Sequence, residues 1–342
     1  MSLAAFGEKY RGFYTPRFTV GVGSTTFTES SGVISDLSVD TAVDRADRAS
    51  FTLNYPFDHE TGEFDGLDWT AFEPGVDLAV SMGYADELEP LFVGRIQSVE
   101  PTFPSGEGPT VRVSGYGLIH EMTRGTRSRS WDDATDSDVA REIASDHGFT
   151  DLTVESTDLE RPKIIQQGQS DYSFLEGLAE RNYFELFARR DAFEFGPPRQ
   201  RSEPIATLRY GESLDSFSPT INRAEQVGTV VVRGWDPATR EPIVGRAEHG
   251  ESSAAGTRVL EIPVGSTEEA NRIAEADLNR TLQGEVEGSA ETVGLPEIQA
   301  GEWVRLEGTG ERFTGNYYVE SATHTLGASG YRTTFQITET PT

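Results

Sequence analysis

The chain has 342 residues, room for two domains or three at about 150 residues each. Its 57 acidic side chains against 29 basic ones give a formal net charge of −28, which argues against a free-standing nucleic-acid binder or a protein drawn to anionic membranes, since both need a basic face. Cysteine is absent, which excludes disulfides, thiolate nucleophiles and Cys-ligated zinc or iron–sulfur centres; no apolar run approaches the roughly 20 residues of a membrane span, and Met1–Arg17 has no signal-peptide core.

The first third reads as β. Arg17–Gly23, Ser50–Tyr55, Val76–Met82, Leu91–Val99 and Thr110–Ser114 alternate apolar and polar residues, with Gly, Pro and Asp clusters such as Pro104–Pro109 between them. Short alternating strands at this spacing predict a small barrel or sandwich. Near Trp131 the character changes. Asp136–His147 is predicted as a helix, started by Thr135 with Asp138 and stopped by Gly148, with Val139, Ile143 and Ala144 as its apolar stripe. A second helix begins at Ser170 and ends near Asn182, with Tyr172, Leu175, Leu178 and Ala179 on one face and Asp171 in its first turn. Tyr183–Ala188 and Ala192–Phe195 follow as a hairpin. Strand character returns at Ile205–Tyr210 and Val227–Gly234. A third helix runs from about Thr267 to Gln283, capped by Ser266 with Glu269 and stopped at Gly284. Trp303–Leu306, Tyr317–Ala322 and Arg332–Ile337 close the chain as strands.

The two ends resemble each other. Gly75–Val80 parallels Gly301–Leu306, and Phe92–Ile96 parallels Phe313–Tyr317, which aligns Gly94 with Gly315. This suggests two related barrels with helical material between them.

Arginine supplies 27 of the 29 basic residues, because Lys9 and Lys163 are the only lysines. Acid excess with lysine depletion is the composition of a protein adapted to multimolar salt, where the Debye length falls to about 3 Å. An ordinary acidic protein from a GC-rich genome is the plainer alternative.

Motifs for chemistry are mostly missing. Neither lysine sits in a phosphate-binding loop, and Gly21–Gly23, Gly115–Gly117 and Gly308–Gly310 lack the third glycine of a dinucleotide fingerprint. There is no Gly-x-Ser-x-Gly elbow and no His-Glu-x-x-His. His59, His120, His147, His249 and His324 are too far apart in sequence for a local metal site. Asp132, Asp133, Asp136 and Asp138 raise the question of Ca²⁺, but without the Gly and Glu of an EF-hand they read as acids at a helix start. Among 57 acids some pair always has glycosidase spacing, so that spacing carries no information. Trp69, Trp235 and Trp303 can stack on sugars if exposed or pack in a core if not. No catalytic residue, metal or cofactor is assigned.

Gln166–Arg181, followed by Tyr183–Ala188, resembles the signature of the late control protein D family, the baseplate hubs of contractile phage tails. The hub part of type VI secretion spike proteins is similar. Gly294–Gly301, Phe313–Val319 and His324 before Gly330–Phe335 look like that family's C-terminal barrel, and Leu91–Ile96 like its first. The positions carrying the resemblance, and hence the candidate assembly residues, are Gly94, Gln167, Ser170, Asp171, Tyr172, Phe174, Leu175, Gly294, Pro296, Gly301, Gly315, Tyr317 and His324.

The resemblance implies a mainly β fold with an α+β insertion, in which two tandem tail-tube-like β-barrels are joined by a helical, α+β middle region. The expected division is an N-terminal arm (1–16), a first barrel (17–130), the middle domain (131–200), a second barrel (201–235 and 285–342), and a helical insertion (236–284) packing with the middle domain. It further implies a homotrimer whose six barrels form a pseudo-hexameric ring under a hexameric tail tube. Because the sequence stops at Thr342, the spike is expected to be a separate polypeptide, with baseplate wedge proteins as further partners. Such a chain would be made in the cytoplasm and built into a virion tail or injection particle, without inserting in a membrane or reading nucleic-acid sequence. Two other readings remain open here: a two-barrel carbohydrate-binding module or glycoside hydrolase of a halophile, and the hub of a non-contractile tail.

Overall fold

The computed structural model describes the chain apart from residues 1–2, 107, 158, 183, 198–202, 222–226, 237–239, 250–255, 263, 283–285 and 340–342. The chain enters through α1 (Leu3–Lys9) and continues through β1 (Pro16–Val22), β2 (Thr25–Thr28), β3 (Ile34–Ala42), β4 (Arg48–Leu53), the two-residue β5 (Phe57–Asp58) and β6 (Glu63–Phe64), β7 (Asp77–Tyr84), β8 (Glu87–Thr102) and β9 (Thr110–Gly117). Alternation places one face of each long strand inward: Phe18, Val20 and Val22 of β1 are buried, as are Leu78, Val80 and Met82 of β7. The middle of the chain holds β10 (Arg127–Ala134), α2 (Asp136–Asp146), β11 (Asp151–Val154), β12 (Arg161–Gln169), α3 (Asp171–Asn182), β13 (Glu185–Arg189) and β14 (Ala192–Gly196). The remainder comprises β15 (Ala206–Arg209), β16 (Ser216–Ile221), β17 (Thr229–Asp236), β18 (Glu241–Glu248), β19 (Thr257–Glu261), α4 (Thr267–Leu282), β20 (Val286–Val293), β21 (Trp303–Glu307), β22 (Gly315–Gly327) and β23 (Gly330–Thr338).

The protein is mainly β. Strands from both ends of the sequence join in one thirteen-stranded sheet, whose main path runs β16-β20-β23-β22-β3-β4-β9-β8-β7-β1-β2, with β15 and β21 attached beside β22. The seam between the N-terminal and C-terminal halves is the antiparallel pair β3–β22, in register from Ala42 opposite Ser321 to Leu37 opposite Leu326. One hydrophobic core runs across that seam, from Val20, Phe51 and Leu78 to Leu208, Val304 and Phe335. α1 is more than an arm. Phe6 and Tyr10 are buried, Tyr10 lies 5.3 Å from the Tyr84 ring and donates to Glu297, and Lys9 reaches both Glu89 and Glu297.

The middle block has its own core, built by Val139, Ile143, Leu175, Leu178 and Phe193. α2 begins with the capping box foreseen at Thr135 and Asp138, and Gly148 follows its end at φ 81°. The hairpin is β13–β14, and β11 adds in parallel to β14. Strand β17 was expected in the second barrel. It forms instead the centre of a separate sheet, β18-β17-β19, under α4. The reason is local: Val230 and Val232 meet Ala270 and Ala274 of α4, so β17 is buried without the large sheet. The expected stop of α4 at Gly284 lies outside the described residues. Among the described residues no helix is long and apolar enough to cross a membrane.

Candidate assembly surfaces

The motif around α3 is mostly interior. Asp171 is 3% exposed and accepts from Arg129 at 2.5 Å, Gln166 at 2.8 Å and His147 at 2.8 Å, with Arg127 at 3.4 Å. Burial opposes its ionisation, but the His147 and Gln166 hydrogen bonds and the Arg129 and Arg127 charges outweigh it and hold the carboxyl below its ordinary value. Ser170 caps α3 by accepting from the Ser173 amide. Phe174 stacks on Trp131 at 5.6 Å, and Leu175 is fully buried. The Tyr172 hydroxyl donates to the Asp44 carbonyl and so ties α3 to the turn after β3. Gln167 faces solvent, and its neighbour Gln166 is the glutamine that holds Asp171. The aspartates near α2 are also in structural use: Asp136 receives Arg181 and Asn182, Asp138 closes the capping box, and Asp132 pairs with Lys163.

The C-terminal motif clamps the loop 294–301 onto the β22–β23 hairpin. His324 is fully buried, and its Nε2–H donates to the Ile298 carbonyl at 3.0 Å. Its Nδ1 accepts from the hydroxyls of Tyr331 and Thr333, and Thr333 accepts the Leu295 amide. Pro296 is buried in this loop and its carbonyl accepts from Gln299. A Cβ at Gly294 would lie 2.1–2.4 Å from the Tyr331 ring. Gly294→Ala is therefore expected to displace Tyr331 and destabilise the fold by about 1–3 kcal/mol in denaturant titration. Gly94 is similarly pressed by the Tyr116 carbonyl, 2.1 Å from its would-be Cβ. Tyr317 is buried, with its hydroxyl on the Phe313 carbonyl, whereas a Cβ at Gly315 would meet only the Tyr317 ring, at an unstrained 3.9 Å.

Burial pushes the His324 imidazole down to about 4, and only the Ile298 carbonyl favours its proton. The unfolded chain takes up that proton near 6.5 and the folded chain near 4. Its contribution is therefore complete above pH 6.5 and falls by about 3 kcal/mol on acidification to pH 4. Asp47, which burial raises to about 7, titrates with the opposite sign over the same window. The whole-protein curve therefore masks both groups. The difference in unfolding free energy between wild type and His324→Gln isolates the histidine and is expected to shrink by that amount between pH 7 and pH 4.

The internal repeat is visible as geometry. The N-terminal order β1-β7-β8-β9-β4-β3 is matched by β15-β21-β22-β23-β20-β16. Gly75 (φ 97°) and Gly301 (φ 83°) both turn the chain into the repeated strand, where a positive φ favours glycine. Their amides donate to Ile96 and Val319 respectively, each at 2.8 Å, and both partner strands then bulge, at Ile96/Ser98 and at Val319/Ser321. This equates Ile96 with Val319. The sequence pairing of Gly94 with Gly315 is therefore two residues out of step: Gly94 corresponds to Tyr317, and Gly315 to Phe92. The outermost strand breaks the symmetry, since β1 is antiparallel to β7 and β15 parallel to β21.

Two of the sheet edges left open among the described residues occupy matching places in the repeat. One is the outer side of β16, and the other is the tail of β8 beyond Ile96, on the side β7 has left. Phe103, at the end of that tail, is 61% exposed and packs edgewise on Phe57. Trp69 and Trp235 are also exposed, but Trp303 is buried against Tyr318 and offers no sugar platform. These edges were not found in sequence, because an edge is defined by a missing neighbour rather than by a residue pattern.

A family model described as the Alg8 N-terminal domain matches residues 14–328. No curated protein matches the sequence. Among solved structures, the chain is similar to the 43 kDa tail protein of prophage MuSo2 from Shewanella oneidensis, with 12% identity over 94% of this chain and 98% of that one and a TM-score of 0.73. A tail protein from Neisseria meningitidis is similar at 14% identity over 95% and 97%, with a TM-score of 0.73. A chain of the Francisella PdpA–VgrG complex is similar at 10% identity, with a TM-score of 0.59 over 98% of this chain and 55% of that one. At these identities the likeness is one of fold.

Proposed function

This chain belongs to the Alg8 N-terminal domain family, and from its tail-protein fold and its internal repeat we propose that it is the structural hub of a contractile tail or injection system, of the late control protein D kind. The observation that carries this is the repeat: two units of the same strand order, glycine turn and bulge in one chain. Two similar units per chain let a threefold object present six docking surfaces to a sixfold tube. In this reading three chains form a pseudo-hexameric ring, a hexameric tube protein docks on one side, and a separate spike and the wedge proteins complete the baseplate. Tyr172 of the motif and Arg189 of β13 fix the middle block to both β halves, since Arg189 reaches Glu302 and the Ala300 carbonyl while Tyr172 reaches Asp44; Asp171 holds the block itself together.

Light scattering on a sizing column in about 3 M salt tests it. A mass near 112 kDa, three times the 37.5 kDa chain, is the expected result. A monomer that binds glycans overturns it in favour of a sugar-binding module.

A further inference from the structure

We propose that copies of this chain join head to tail by strand pairing, with β16 of one copy laid antiparallel on residues 98–103 of the next. The inference rests on the hub reading and names the contact that would close its ring. Within the chain, repeat already joins repeat: β3 of the N-terminal unit lies on β22 of the C-terminal unit, filling the side of β22 that β21 leaves at Val319. The equivalent of β3 in the C-terminal unit is β16, and the equivalent of the occupied stretch of β22 is the tail of β8. Both are the open edges described above. Each chain therefore carries the two unmated halves of a joint it has already made once.

The ladders set the register. Ser38 pairs with Ser50, which pairs with Ser114, which pairs with Ser98. The matching path is Ser218 to Ser289 to Gln336 to Ser321. Ser38 thus corresponds to Ser218, and its seam partner Thr325 to Thr102. Transferred to the contact between copies, Ser218 faces Thr102 of the next copy, Phe217 faces Phe103, and Ile221 faces Val99. The pair Leu37–Leu326 inside the chain becomes Phe217–Phe103 between chains, apolar on apolar. The exposed Phe103 and Ile221 gain a neighbour.

Pro219 and Pro101 fall opposite each other, in place of Val39 and His324. Their positions point the backbone outward, so each edge lacks one donor. This leaves the hydrogen-bonded pairs at Phe217–Phe103 and Ile221–Val99, where the internal seam has three such pairs. Proline on an open edge also discourages pairing with stray strands. The joint between copies is then weaker than the one within the chain, and it is directional: a heterologous contact that closes only as a ring.

The absence of cysteine makes the test clean. Ser218 and Thr102 form a non-hydrogen-bonded pair in this register, the closer of the two antiparallel spacings and within disulfide reach. Chains carrying Thr102→Cys alone are mixed with chains carrying Ser218→Cys alone in molar salt under mild oxidation. A covalent heterodimer is expected, about tenfold more abundant than with Thr220→Cys in place of Ser218→Cys, a position two residues out of register. The Thr102→Cys/Ser218→Cys double variant is expected to give covalent species that stop at three chains. A trimer by light scattering without the cross-link overturns the pairing and leaves the hub ring standing. A cross-link that climbs past three chains supports the pairing and overturns the closed ring. A monomer with no cross-link in molar salt overturns both.

Discussion

Asp171→Ala is expected to destabilise the middle block by about 3–5 kcal/mol, the range for breaking a buried ion pair from one side. The carboxylate is 3% exposed and is shared by Arg129, Arg127, Gln166 and His147. Removing it leaves the Arg129 guanidinium, itself only 22% exposed, with Asp146 on the surface as its remaining acid. Gln166, fully buried, loses an acceptor and keeps only the Gln169 carbonyl for its amide. Because this block has a hydrophobic core separate from that of the large sheet, the damage should be regional. Hydrogen exchange should accelerate across β10, β12 and α3 while β7 and β23 keep their protection. The transition belonging to the block should fall by roughly 12–40 °C. Asp171→Asn preserves shape and one acceptor, and it should recover part of the loss. Equal acceleration across both cores would show that the block does not unfold on its own, and no change at all would remove Asp171 from the list of fold-determining residues.

What could be read from the sequence divides along physical lines. α2 and α3 were legible because their signals are local: a capping pair, an apolar stripe and a glycine stop for α2, and an apolar stripe with an acid in the first turn for α3. β1 and β7 were legible because one face is buried and the other wet. β3, the strand that joins the two halves, was not. Its alternation is interrupted between Ser35 and Ser38, where Asp36 takes a positive φ and the ladder bulges. β20 reads Val-Glu-Gly-Ser-Ala-Glu-Thr-Val, with small and hydroxylated residues in core-facing places, and β16 carries a proline. α1 is a seven-residue helix held by the burial of its own Phe6 and of Tyr10 just after it, so no propensity marks it. The candidate site shows the same division. Asp171 and His324 stood out as motif letters, but their work is interior hydrogen bonding. The open edges of β8 and β16 carry no letters of their own and emerge only when the two repeats are superposed in register.

Dialysis from molar salt to about 0.05 M NaCl is expected to dissociate or swell the proposed trimer, because three chains would bring 84 formal negative charges together, three times the 28 of one chain. At 1 M the Debye length is about 3 Å and only touching charges repel; at 0.01 M it is about 30 Å and whole subunits do. An unchanged sedimentation coefficient across that range would sink the expectation. The proposed joint refines it. Ser216–Ile221 carries no charged residue and the facing 98–103 tail only Glu100, so the repulsion is between subunit bodies and not at the seam. The dissociation midpoint should therefore follow ionic strength and be nearly indifferent to Glu100→Gln. A trimer rescued at low salt by that one substitution would place the repulsion in the joint itself, and the long-range account would fail. With lysine reduced to Lys9 and Lys163, both already engaged with carboxylates, the surface has few mobile cations of its own to offset the field. Dissolved salt has to do so instead, which links the composition of the chain to the conditions under which its ring can close.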